Sequence, residues 1–250
     1  KNKIYSKIYI QPISQYMKDL VNFLKSKNFH KVLLISKIYM FFKIIFFEPV
    51  ICLLRYYLIY KPTYDVKKKL NFSNILENQF FFKSLKSCDT YLEFGSGNST
   101  LMAKLLHKKF YSVESDKNFY FFMKKKFNLN NYFLRDLGFV KYYSIPLFFK
   151  MRKKNLKKKE LKYSNDILSV MSKKKIFPDL ILIDGRYRVL TALCIHQYLR
   201  RNKKKSLIII DDYKERKFYH ILKNFFEIKM IGRFGILERI KNRDVTNLID

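Results

Sequence analysis

Hydrophobic and polar positions along the chain fall into three regimes. Residues 1–31 are polar, Lys-rich and weakly patterned. From Val32 to Tyr60 the chain turns apolar, interrupted by Lys37, Lys43, Glu48, Pro49 and Arg55. A membrane-spanning helix needs about 20 mainly apolar residues with few charges. The best window, Ile38–Tyr60, contains Lys43, Glu48 and Arg55 and a central proline, so two shorter helices broken at Pro49 fit better than a span. Such helices either pack on the domain that follows or lie in a membrane interface with Lys and Arg snorkelling. Lys61-Pro62-Thr63 reads as a linker. The expected division is an apolar helical appendage over 1–62 and a domain over 63–250.

After about residue 85 the pattern becomes regular. Short apolar runs bounded by polar or Gly-containing turns predict strands at 89–94, 110–114, 131–136, 179–184 and 206–211. Helical spacing predicts helices at 98–108, from a cap at Asp116 to Phe127, at 188–201 and at 215–226. Leu101, Leu105 and Leu106 are expected on one face of the first of these. Residues 227–231 and 236–241, with a Gly-containing turn between them, read as a closing hairpin. A Lys-rich insertion occupies about 138–177, part loop and part helix (161–172). Strand and helix in alternation predict an α/β fold, a mostly parallel sheet with helices on both faces.

Composition changes this picture little. The chain has 250 residues, 48% hydrophobic, which excludes wholesale disorder. Its formal charge is +32, but 41 of the 52 basic residues are Lys and only 11 are Arg. Lys, Asn, Ile, Phe and Tyr dominate, all residues with A/T-rich codons, so codon bias yields the charge without a selected partner. An anionic substrate or a membrane surface is the alternative source. Cys52, Cys88 and Cys194 form no CxxC pair, which argues for a reducing, cytoplasmic setting and against a structural zinc site.

Chemistry concentrates at the strand ends. Glu93, Glu114, Asp136, Asp184 and Asp211 each stand at the C-terminal end of a predicted strand. In an open parallel sheet those ends line one crevice where ligands bind. Glu93-Phe-Gly95-Ser96-Gly97 sits where a strand turns into a helix, and Glu114 follows Gly95 by 19 residues. Two glycines let the backbone approach a ligand, and an acid one strand later can accept bonds from ribose hydroxyls. A GxxxxGK[ST] phosphate loop is absent, and Thr100 stands where a dinucleotide site prefers a third glycine. Glu93 suits a ligand with a cationic end.

These residues resemble the cofactor motifs of class I S-adenosylmethionine-dependent methyltransferases. The segments Leu182–Arg188 and Ile210–Arg216, with Tyr219-His220, are similar to a poorly characterised bacterial branch of that superfamily. The resemblance covers about residues 85–241 and departs at Asn98, where many members have a further glycine. It implies a Rossmann-like fold with a reversed last strand. It places Gly95, Ser96 and Gly97 under the methionine part of the cofactor, Glu114 at the ribose and Asp136 at the adenine. Metal-dependent O-methyltransferases of the superfamily carry Asp at the fourth strand end and Asp-Asn at the fifth. Asp184, Asp211 and Asp212 are therefore candidates for a divalent cation such as Mg²⁺, or else shape the pocket and cap a helix. Asp184, Arg186, Asp212 and His220 are the candidate acceptor-site residues. His220 is the candidate base. Arg186 and Arg188 suit an anionic acceptor or ion pairs with the acids. His196, on an apolar helix face, reads as structural.

The implied activity is methyl transfer to an oxygen or nitrogen of a small or sugar-like acceptor. The rivals are an RNA methyltransferase and a non-catalytic binding protein on the same scaffold. Between Lys141 and Lys175 stand 12 Lys/Arg against Glu160 and Asp166. With Tyr142, Tyr143, Phe148 and Phe149 interleaved, that stretch suits an acceptor lid, a nucleic-acid loop, a membrane-facing surface at the inner leaflet, or a plain solvated loop.

Overall fold

The computed structural model describes residues 50, 70, 72–137, 140–141, 145–146, 153–241 and 245. Apart from Val50, the expected appendage lies outside these residues, as do Tyr142, Tyr143, Phe148 and Phe149. Among the described residues no helix is long and apolar enough to cross a membrane.

The first described element is a helix that the sequence reading left unassigned, α1 (Ile75–Ser87). A capping box starts it. The Asn74 side chain accepts from the Glu77 N–H and the Glu77 carboxylate accepts from the Asn74 N–H, both at 3.1 Å. Then follow β1 (Thr90–Phe94), α2 (Asn98–Leu105), β2 (Lys109–Glu114), α3 (Lys117–Phe127) and β3 (Tyr132–Leu134). Two short strands, β4 (Val140–Lys141) and β5 (Ile145–Pro146), pair with each other. The chain continues with α4 (Lys153–Lys173), β6 (Leu180–Ile183), α5 (Arg188–Asn202), β7 (Leu207–Ile210), a 3-10 helix (Lys217–Asn224), β8 (Phe226–Ile231) and β9 (Phe234–Ile240).

Seven strands form one sheet in the order β3-β2-β1-β6-β7-β9-β8. The first five in that order run parallel. β9 returns antiparallel beside β7, and β8 pairs antiparallel with β9. This is the expected Rossmann-like α/β sheet with its closing hairpin. The central strands are buried on both faces, which is why they read as unbroken apolar runs. Leu92, Phe94, Ile181, Ile183, Ile208 and Ile210 face one core with α4 and α5. Tyr91, Leu180, Leu182 and Ile209 alternate to the other face, against α1, α2 and α3.

Several expected boundaries move. β3 is only three residues long, so Asp136 lies two residues beyond the strand. Its neighbour Arg135 is paired with Asp166 of α4 at 3.0 Å. α2 ends at Leu105, which is 56% exposed, so the predicted leucine face holds at Leu101 and fails at Leu105. The helix expected over 215–226 is instead a 3-10 helix. Tyr219, Leu222 and Phe225 are all buried, and a spacing of three aligns them at three residues per turn. Asp116 does cap α3, accepting from the Phe119 N–H at 3.1 Å. His196 is fully buried, with Nε2 3.0 Å from the Lys241 carbonyl and its ring edge-on to Phe226, as a structural histidine should be.

Candidate functional site

The strand order reverses between β1 and β6. At that point two glycines meet. Gly95, just after β1, has φ +94, and a Cβ there would lie 2.7 Å from the Cα and N of Gly185, just after β6. The loop end is tied down by Gly95 N–H donating to the Val113 carbonyl (2.8 Å) and Asp184 N–H donating to the Phe94 carbonyl (2.9 Å). Gly97 caps α2 at φ 166, extended backbone that any residue adopts. The backbone thus demands glycine at 95 but not at 97, which leaves room for a ligand to explain the second glycine.

Glu93 and Glu114 hold this loop from below. The Glu93 carboxylate is fully buried and accepts from the hydroxyls of Tyr91 (2.7 Å), Ser99 (2.6 Å) and Thr100. Burial raises its pKa, and the hydroxyl bonds from Ser99, Thr100 and Tyr91 oppose the rise. Glu93 therefore faces the loop's interior. The sequence predicts that Glu93 meets a ligand's cationic end; in the structure its carboxylate accepts from Tyr91, Ser99 and Thr100 under the glycine loop. Thr100 completes the link, since its hydroxyl also accepts from the Gly97 N–H at 2.9 Å. Thr100→Val keeps the shape and removes both bonds. We expect a loss of about 1–3 kcal/mol, read by urea denaturation.

Glu114 stands at the end of β2. It accepts from the Ser96 hydroxyl (2.6 Å) and the Ser96 N–H (3.2 Å), and from the backbone N–H groups of Ser115 (2.6 Å) and Asp116 (2.8 Å). The Ser96 oxygen also lies 2.7 Å from the Tyr132 hydroxyl. Gly95, Ser96, Gly97 and Glu114 are therefore brought together, with Glu93 beneath them. Asp136 is exposed beyond β3.

On the β6–β7 side, the acids form a cluster with arginines. Arg188, at the head of α5, donates to Asp184 Oδ1 (2.7 Å), Asp212 Oδ2 (3.1 Å) and the Asp211 carbonyl (2.6 Å). Arg233, in the β8–β9 turn, pairs with Asp211 through Nε (2.7 Å) and Nη2 (2.9 Å). Arg216 pairs with Asp212 at 3.0 Å. The Arg233 N–H donates to buried Glu77 at 2.6 Å, which ties α1 to the same cluster. The Asp184 carboxyl is raised above the usual carboxylate range. Burial is the first cause, Asp211 and Asp212 add to it, and Arg188 opposes it.

Each of the three acids proposed for a divalent cation is thus already matched by a guanidinium. Among the described residues no group of three or more His, Cys, Asp or Glu is placed to hold a metal ion. The donor chemistry, with each acid already facing a guanidinium, does not fit a cation. Of the 11 arginines in this Lys-rich chain, Arg188, Arg216 and Arg233 serve this cluster. Their scarcity was the available signal, because planar, multidentate pairing is what Lys cannot supply.

Beside the cluster lies a cavity of about 500 Å³, within the range of small-molecule sites. It is lined by Gly185, Arg186 and the first turn of α5, by Arg216, Phe218 and Tyr219, and by Glu160 of α4. Gly185 is shared with the Gly95 contact, so the cavity adjoins the glycine loop. The Arg186 N–H donates to the Tyr163 hydroxyl at 3.2 Å. Its guanidinium has no ion pair among the described residues. Burial lowers the Arg186 pKa, and burial raises that of Glu160. His220, the candidate base, is exposed and stacks near Tyr213 (5.1 Å). Its neighbour Tyr219 lines the cavity and His220 does not. On a 3-10 helix the side chains at 219, 222 and 225 turn inward, which carries 220 outward. Glu160 and Phe218 are among the lining residues to which the sequence alone assigns no role.

No protein-family model and no curated protein matches the chain. A match among solved structures is the crystal structure of a methyltransferase-like protein from Silicibacter pomeroyi, with a TM-score of 0.58 and 22% sequence identity. The alignment covers 72% of this chain and 94% of that one. The chain shares the Rossmann-like α/β fold of that protein.

Proposed function

We propose that the chain is an S-adenosylmethionine-dependent methyltransferase acting on an oxygen or nitrogen of a small or sugar-like acceptor in the cytoplasm. The observation that carries this reading is the Gly95–Gly97 loop at the strand-order reversal, joined to Glu114 by Ser96. The residues fit the cofactor. Glu114 already takes a hydroxyl donor from Ser96, the same donor that a ribose diol offers. Gly97 leaves open the approach to the loop backbone.

S-adenosylmethionine, when bound, supplies an already activated methyl group. The protein's share is orientation: Ser96, Gly97 and Glu114 hold the donor side and the adjoining cavity holds the acceptor, a division that effective-molarity arguments favour. Among the cavity's residues Glu160 is the acid available to take the acceptor's proton, and its raised pKa suits that task.

Calorimetric titration with S-adenosylmethionine tests the reading. The wild type is expected to bind. Gly97→Val, which the local φ tolerates, is expected to lose at least about tenfold in affinity, or about 1.4 kcal/mol, with unchanged circular dichroism. Wild-type affinity in that folded variant would remove the loop from the site.

A further inference from the structure

We infer that the cavity at the head of α5 is an anion-recognising acceptor site, with Arg186 and the first turn of α5 as its recognition elements, and that the acceptor is a sugar carrying a phosphate or carboxylate. This deepens the methyl-transfer reading and rests on it for the word acceptor. The binding chemistry stands on the cavity itself.

The two arginines that flank Tyr187 have different jobs. Arg188 is 9% exposed, and its guanidinium is taken up by Asp184, Asp212 and the carbonyls of Gly185 and Asp211. It is a structural ion-pair hub. Arg186 lines the same cavity, and among the described residues no acid lies within ion-pair distance of its guanidinium, Glu114 and Asp184 acting on it only from farther away. A half-buried, unmatched guanidinium facing a cavity is a bidentate donor awaiting an acceptor.

A second, independent feature points the same way. α5 is 15 residues long, and Tyr187 at its N-cap is left-handed (φ 49) and makes no side-chain cap bond. The first turn contains no acid. No acid of the turn itself offsets the positive end of its dipole where Arg188, Val189 and Leu190 line the cavity, and Asp184 and Asp212 beside the helix start are taken up by Arg188. A bound anionic group would offset it.

The remaining walls favour a sugar. Phe218 and Tyr219, with ring centroids 4.5 Å apart, offer an aromatic wall, and Glu160 offers a carboxylate for hydroxyl groups. Arg216 is already paired with Asp212, so the site does not carry an excess of free cations that would suit a polyanion. One anionic group and several hydroxyls match this inventory. A nucleic-acid strand does not.

The test titrates the full chain with glucose 6-phosphate, glucuronate and glucose, and separately with S-adenosylmethionine. At least one anionic sugar is expected to bind, and glucose at least tenfold more weakly. Arg186→Gln is expected to weaken the anionic sugar by about 10–100-fold while leaving S-adenosylmethionine affinity unchanged. Arg186→Lys is expected to restore part of the loss. Should Arg186→Gln fail to fold, Leu190→Glu serves instead, placing a negative charge at the helix start and abolishing anionic-sugar binding. Equal affinity for glucose and both anionic sugars overturns the inference, as does an Arg186→Gln protein that binds like wild type. S-adenosylmethionine binding without anionic-sugar binding rejects the inference and spares the methyltransferase reading. Arg186-dependent sugar binding without S-adenosylmethionine binding does the reverse.

Discussion

Replacing Arg188 with methionine is expected to cost about 3–5 kcal/mol of stability, the usual penalty for breaking a buried ion pair from one side. The variant keeps the apolar stem and deletes the charge that faces Asp184, Asp211 and Asp212. Only Arg216 and Arg233 are then left to neutralise the acids at these adjoining strand ends. For a domain of this size the loss corresponds to a fall in Tm on the order of 10 °C. The effect should depend on pH in a stated direction. Asp184 already binds its proton more tightly folded than unfolded, so its contribution to stability is present at low pH and lost as pH rises through its folded-state pKa. Arg188 opposes that rise, and removing it pushes the carboxyl higher still. The deficit of the variant should therefore be larger at pH 8 than at pH 5. Urea denaturation at the two pH values measures it, and a deficit that shrinks with rising pH would contradict the cluster as described.

Gly95→Ala carries the second large effect. At φ +94 any Cβ is strained, and here it would also sit 2.7 Å from Gly185 Cα and N and 2.8 Å from the Asp184 carbonyl carbon. These are backbone atoms of the turn that follows β6, not the far end of a flexible side chain, and cannot swing aside. Strain and overpacking together predict about 2–5 kcal/mol of destabilisation. Because Gly185 also lines the cavity, one methyl group should disturb both the glycine loop and the cavity wall. Loss of S-adenosylmethionine affinity together with lowered stability is expected in Gly95→Ala, against loss of affinity alone in Gly97→Val. A Gly95→Ala protein with wild-type stability would mean that β1 and β6 do not meet as closely as they do here.

The sheet and the glycine loop were legible because their signals are local. A strand buried on both faces is a short apolar run, and Leu180–Ile183 or Leu207–Ile210 cannot read otherwise. The Gly95–Gly97 turn lies directly between a strand and a helix, and Glu114 follows at the next strand end. What escaped depends on partners distant in sequence. Asp184, Asp211 and Asp212 look like metal ligands until Arg188, Arg216 and Arg233 are placed against them. Arg233 lies 22 residues from Asp211, in the turn of the closing hairpin. The outward turn of His220 follows from a three-residue rather than a 3.6-residue period, a difference too small to read over eight residues. α1 was legible in principle, since Asn74 and Glu77 spell a capping box ahead of the apolar Phe80–Phe82, but its apolar face is weak.

The pairing of β1 with β6 sets the order in which the domain can be assembled. Asp179, just before β6, accepts from the backbone N–H groups of Asp89 and Thr90, partners 90 and 89 residues away. A ribosome releases β1, β2 and β3 long before β6 exists, so the nascent sheet carries one open edge along Thr90–Phe94. Entropy is not the obstacle, because doubling the length of a closing loop costs only about 0.6 kcal/mol. Time is. Until Leu180–Ile183 emerges, an apolar strand stands unpaired and offers itself to any neighbouring chain. In a cell the hazard for this protein falls during its synthesis, in the interval between those two strands.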